Sequence, residues 1–462
     1  MIDAALYVVA HALAAVVGLP VLWLSDVRSW SVPARAAGAF AAGAVWLAIV
    51  STLSSLLGLR WSLVLLAPSV AAAVVLGRRF GWRALSRPFR PGRAVGALGI
   101  IVAGIAATHL VLSLVVARAT STDFLLFWGV KAIRFARARS IDPVLLTSPF
   151  FGHSQPFYPP LLPTLDAWAA LLAGRMPWRT APVVTALWFA AAAALLLEIA
   201  RRRLGDRNAV VLVSFWMAAF SASLVASLSG GNAEAPLLLY ETTAAALLLT
   251  EGPVPGAGRR TLVGVFLAGA VLTKVEGSVG AALLIGGTLL RDALSRRLRL
   301  REIAALVLPP LTAGLVWLAY VRRFHIPVTA APRARFSGLY LGRIPHVLSI
   351  MIRRSDGGDY WLPWLVPALL LLIGAHRAGF RRALPALVAA VGLAVFFVFL
   401  YLHDPGDQSL RIGWEIPRLG QPVLSLFILL AAFSAPPFRS SLKRQGQENT
   451  TLNVQNPPVL DP

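Results

Sequence analysis

Acids and bases are scarce in this chain, so the places where they gather carry most of its chemical information. The run Asn232-Ala233-Glu234-Ala235-Pro236-Leu237-Leu238-Leu239-Tyr240-Glu241 sets two carboxylates seven residues apart in apolar surroundings. On a continuous helix that spacing puts both on one face, and acids at membrane depth are costly and usually functional. Glu241 lies deeper in the run, where an ion pair with a nearby arginine is an equal expectation. Thr273-Lys274-Val275-Glu276-Gly277 interrupts two further apolar runs and holds both signs of charge in one tight turn. A hairpin explains the glycine but not Lys274, one of only three lysines in the chain with Lys131 and Lys443. Arg411-Ile412-Gly413-Trp414-Glu415-Ile416-Pro417-Arg418 precedes the last apolar run and sets Arg418 at its start.

A second group of signals is aromatic and basic. Phe124, Phe127, Lys131, Arg134 and Arg137 recur at helical spacing, which suits a helix lying in the membrane interface, whose cations can hold a lipid phosphate. Phe157-Tyr158-Pro159-Pro160-Leu161-Leu162-Pro163 leads into an amphipathic stretch ending near Gly174, too short to span. Between 322 and 354, seven arginines including Arg343 are interleaved with Phe324, Phe336, Tyr340 and His346; the pattern fits a loop facing a lipid-linked anion or an acidic polymer, or a solvated face. Asp356-Gly357-Gly358-Asp359 offers two carboxylates without further ligands and reads as a turn rather than a metal site. His11 and His109 read as packed polar groups. The absence of cysteine excludes disulfides, thiol chemistry and Cys-based metal sites, and neither a metal nor a cofactor is expected.

The elements that must position these residues are membrane helices. Of 462 residues 57% are hydrophobic and 14% charged, against roughly 25% charged in a soluble domain, and the mean hydropathy is +0.72. Solenoids, disordered chains and soluble enzymes are excluded. The reading is an all-α polytopic membrane protein of about 13 transmembrane helices, with interfacial helices in large outer loops. Spans are expected from the N-terminus to Leu24, as a retained helix because no basic n-region precedes it. Others follow at about 35–58, 61–77, 94–117, 180–200, 209–229, 235–250, 261–273, 277–290, 303–321, 361–375, 384–402 and 419–435. Alternating sides assigns 25 of the 43 Lys and Arg to one set of short connections, which makes that side cytoplasmic. The other 18 fall mostly in two long segments, 118–179 and 322–360, which translocate largely regardless of charge. The formal charge of +23 is thus a topology signal first, and nucleic acid is not an expected partner. Residues 1–93 form an N-terminal three-helix segment, 94–435 the main membrane domain, and 436–462 a disordered cytoplasmic tail rich in Ser, Gln, Asn and Pro.

In this order the outer segments resemble the integral-membrane C-type glycosyltransferases, the superfamily of the aminoarabinose and protein O-mannosyl transferases. Asp123 followed by Phe127-Trp128 and Lys131-Ala132 resembles the acidic motif of the first large outer loop. Tyr158-Pro159-Pro160-Leu161 is similar to the Pro-Pro-Leu lead into that loop's last helix, and Thr273-Lys274-Val275-Glu276-Gly277 to a Thr-Lys-x-Glu-Gly turn of bacterial members. Pro417-Arg418-Leu419 resembles the arginine-containing start of a late span. The resemblance covers about 94–435. The family's first loop often carries Asp-Glu where this chain has Asp123-Phe124, no Asp-x-Asp occurs, and the first three spans have no counterpart.

The resemblance implies an inverting glycosyltransferase of the inner (cytoplasmic) membrane, with its active face periplasmic or extracellular. It would move a sugar from a polyprenyl-phosphate donor to a hydroxyl of a glycan, lipid or protein acceptor. Asp123 is the expected base, Lys274, Arg411 and Arg418 the expected phosphate ligands, and Glu234 and Glu276 the acids that orient sugar hydroxyls; Lys131 and Tyr158 complete the substrate-binding set. The alternative is a transporter or flippase for lipid-linked glycans, which would need charged residues along a path through several spans.

Overall fold

The computed structural model describes residues 2–25, 27, 30–80, 123–178, 181, 183–230, 233–252, 256–328, 340–355, 380–402 and 420–434, with isolated helical positions between 96 and 111. All regular structure among the described residues is helical. In chain order the helices are α1 Ile2–Leu24, α2 Val32–Leu56, α3 Ala67–Phe80, α4 Gly129–Ala138, α5 Pro143–Thr147, α6 Leu161–Ala173, α7 Val183–Leu204 and α8 Asp206–Gly230. They continue as α9 Glu234–Leu249, α10 Ala257–Thr273, α11 Val275–Leu294, α12 Leu300–Arg323, α13 Ile344–Ser355, α14 Phe380–Leu402 and α15 Gln421–Ser434. Six of them, α1, α2, α7, α11, α12 and α14, are long and apolar enough to cross a membrane. The chain is a multi-pass α-helical membrane protein.

The helix ends follow the sequence. Pro33 opens α2, and Asp142 caps α5 by accepting from the Val144 and Leu145 N–H groups. Gly174 and Gly205 close α6 and α7 with positive φ, the conformation glycine adopts without a steric penalty. The expected span over 61–77 is corrected: Ser62 is extended, Leu63–Leu66 forms a 3₁₀ turn and the α-helix begins only at Ala67. The expected spans over 94–117 and 361–375 and the tail from 436 lie largely or wholly outside the described residues.

α2 is a stripe of Ala and Gly, and its backbone meets that of α1 directly. A Cβ on Gly43 would stand 1.6 Å from the Ala14 carbonyl oxygen, so only hydrogen fits; small residues permit this packing where lipid gives no hydrophobic drive. The centre of the bundle is α9. Every residue from Glu234 to Leu249 is buried, with α7, α10, α14 and α15 packed around it. Sixteen residues rise only about 24 Å, less than the roughly 30 Å hydrocarbon core, so an end of α9 is recessed within the bundle.

The first long loop is folded onto the bundle rather than loose. Leu161 to Ala170 of α6 are buried, and Asp166 is gripped by α1: Tyr7 donates to its Oδ1 at 2.6 Å and His11 Nε2 lies 3.3 Å from the same atom. The Trp61 N–H donates to the Arg139 carbonyl at 2.6 Å, and the Tyr320 hydroxyl to that of Ile141 at 2.9 Å. The N-terminal helices, which the sequence leaves without a role, hold this loop in place.

Candidate functional site

Four of the chemistry-bearing side chains converge on one narrow, water-sized cleft of about 10 Å³, lined by Glu234, Glu241, Lys274 and Glu276 with Leu393, Phe397 and Pro422. They arrive on three pieces of backbone. Glu234 is the first residue of α9 and Glu241 lies two turns along it; the helix is continuous, so the seven-residue spacing does put both acids on one face. Lys274 is the single extended residue, φ −152° and ψ 163°, joining α10 to α11, and Glu276 lies in the first turn of α11. Phe397 of α14 and Pro422 of α15 complete the apolar wall.

The charges are paired unevenly. The Lys274 Nζ donates to Glu234 Oε1 at 2.8 Å, with both side chains buried. Neither oxygen of Glu241 has a hydrogen-bond partner among the described residues, although the residue is 1% exposed. Among the described residues no arginine provides the pair that was the alternative expectation for Glu241. A Cβ on Gly280 would stand 2.0 Å from Glu241 Oε1, so the carboxylate fills the space left by an absent side chain, and Glu276 acts on it as a like charge. Three carboxylates against one ammonium make the cleft suited to hydroxyls, protons or cations. The Lys274 charge is already matched by Glu234.

A second constellation is built on the first loop. Asp123 precedes a π-helical turn, Phe124–Trp128, and its side chain makes no capping hydrogen bond. The aromatic and basic stretch is one helical run, as the sequence implies, in which the π-helical turn passes without a break into α4. Lys131 turns inward: it is 1% exposed, its Nζ donates to the Gln155 carbonyl at 2.7 Å and lies 5.3 Å from the Trp128 ring centre. Burial lowers its ammonium to about 7. Tyr158 stacks on Trp128 at 6.1 Å, while the Trp317 indole donates to the Phe157 carbonyl at 3.0 Å. Arg134 pairs with Asp142 at 2.7 Å. Two of the cations expected to face a lipid phosphate are thus engaged within the protein.

Of the expected site residues, Glu234, Lys274 and Glu276 share the cleft, and Lys131 and Tyr158 share the loop's aromatic cluster with Trp128. Arg411 and Arg418 lie outside the described residues, as do Asp356 and Asp359. In the second loop the Arg343 guanidinium sits 4.5 Å above the Tyr340 ring, so one basic and aromatic pair there engages itself. His11 is a packed polar group, as its place in a span implies. Among the described residues no three His, Asp or Glu are placed to hold a metal. Sequence reasoning left out Glu241 as a site residue, although an acid deep in an apolar run was the available signal; Gly280, Leu393 and Phe397 gave none. No protein-family model matches the chain, and neither a curated protein nor a solved structure matches it significantly.

Proposed function

We propose that the chain is an inverting glycosyltransferase of about thirteen spans that moves a sugar from a polyprenyl phosphate to an acceptor hydroxyl on the outer face of the inner membrane. The observation that carries the reading is the recessed acidic cleft at the start of α9, where carboxylates from separate helices converge in an apolar bundle. Carboxylates accept hydrogen bonds from sugar hydroxyls, and the carrier chain of such a donor stays in lipid. In the reaction the acceptor oxygen attacks the anomeric carbon as the bond to the phosphate oxygen breaks. Its proton passes to Asp123, and the polyprenyl phosphate leaves with the bonding electrons. Because Lys274 is paired with Glu234, the charge developing on the leaving phosphate falls to Arg411 and Arg418, whose forked guanidinium groups suit two phosphate oxygens. Glu234 and Glu276 orient the sugar, while Lys131 and Tyr158 shape the loop above it.

A flippase for lipid-linked glycans is the second reading, and Glu241 favours it. A buried acid without a donor is the kind of group that proton-coupled carriers use. Purified protein reconstituted in vesicles and given a panel of radiolabelled polyprenyl-phosphate sugars separates the two. Release or transfer of label to an acceptor is the expected result; translocation of intact donor without cleavage would replace the transferase with the carrier.

A further inference from the structure

A second, larger cavity of about 310 Å³ lies at the other ends of α9 and α11. Its wall carries Arg291, Arg297, Arg381 and Arg382 against only Glu251 and Asp292. Both acids are already saturated. Arg260, fully buried, donates to Glu251 and, at 2.9 Å, to Asp292 Oδ2. Arg291 donates to Glu251 and, through its Nε at 3.0 Å, to Asp292 Oδ1. Two arginines and two carboxylates thus form a closed, neutral network that builds the cavity's floor. Arg381 and Arg382 stand outside this network, and Arg203 from the last turn of α7 and Arg291 both repel Arg382.

Like charges brought together at one wall call for a counter-ion. The membrane-topology signal requires basic residues in these connections, but not their convergence from α11 and α14 on one cavity. Arg381 and Arg382 are neighbours at the start of α14. Forked guanidinium groups can hold two oxygens of a phosphate at once, and a phosphate dianion matches more than one of them in charge.

We propose that this cavity binds a phosphate group, carried by either an anionic lipid headgroup or a soluble phosphate compound. The site is separate from the acidic cleft and does not depend on what that cleft does. The test uses purified full-length protein in neutral detergent and in nanodiscs. Inorganic phosphate, titrated against chloride at equal ionic strength, should raise the melting temperature saturably in detergent if the soluble source applies. Nanodiscs with phosphatidylglycerol, compared with pure phosphatidylcholine, should do so if the lipid source applies, with the lipid retained in native mass spectra. In either arm R381Q/R382Q should raise the half-saturating concentration at least about tenfold, R382K less, and R60Q, at an exposed position after α2, not at all. Should the double variant misassemble, R382Q alone carries the comparison. A response to neither probe, or an identical response from the parent and R382Q, overturns the proposal.

Discussion

Asp123→Asn keeps the shape of the side chain and removes its charge, and it separates a base from a cap. Asparagine caps a helix about as well as aspartate, and the Asp123 side chain makes no cap hydrogen bond. Stability should therefore hold while turnover falls at least about a hundredfold, the lower range of general-base contributions; near-native turnover in a sugar-transfer assay would remove the base assignment. Gly280→Ala tests the cleft from its other wall. The added methyl would meet the Glu241 carboxylate at 2.0 Å, and overpacking of this kind costs about 1–3 kcal/mol, which a shift in thermal unfolding should register. Lys131 gives a pH signature. Its ammonium falls from 10.5 when free to about 7 in the folded loop, so between these values the unfolded chain binds more protons. Its contribution is fully present above about 10.5 and lost as pH falls toward 7. Lys131→Met should flatten the stability profile across that window by up to about 1.4 kcal/mol per pH unit, and identical profiles would contradict a buried amine.

At the scale of elements, the loop helix α6 is too short to span and is held instead by polar contacts to α1. Tyr7 and His11 both address Asp166 in a dry interface. Asp166→Ala strands the Tyr7 hydroxyl, and an unmatched buried polar group costs about 1–3 kcal/mol. The loop over 123–178 should then become open to limited proteolysis before the bundle melts; unchanged protection would mean that apolar packing alone holds α6. The length of α9 has a similar bearing. A full-length span would carry Glu234 to the surface, whereas sixteen buried residues leave its acids walled by α14 and α15.

For the whole molecule, the two charged cavities lie at opposite ends of the central helices. Glu234 begins α9 and lines the acidic cleft, while Glu251 follows its end and lines the arginine-rich one. The topology expected from the distribution of Lys and Arg would set the acidic end on the outer side. In a chain without native cysteine, a cysteine introduced at Ser140 should react with an impermeant maleimide in intact cells, and one at Ser295 only after permeabilisation. The reverse pattern would invert the topology and the proposed function with it.

The sequence by itself determined the class of structure and the elements. Composition and long apolar runs leave no alternative to membrane helices, and the starts and ends of α7 to α12 follow within a few residues from where charge, Gly and Pro interrupt those runs, because in lipid every backbone group must be satisfied within its own helix. It also made Glu234, Lys274 and Glu276 legible as unusual, since each charge stands alone in apolar surroundings. What only the tertiary structure decided is which charges meet. That Lys274 reaches Glu234 forty residues away, that Glu241 finds no donor, and that Lys131 and Arg134 turn to Gln155 and Asp142 depend on how the helices cross. Crossing is set by small residues such as Gly43 and Gly280, whose space has meaning only once a neighbour fills it.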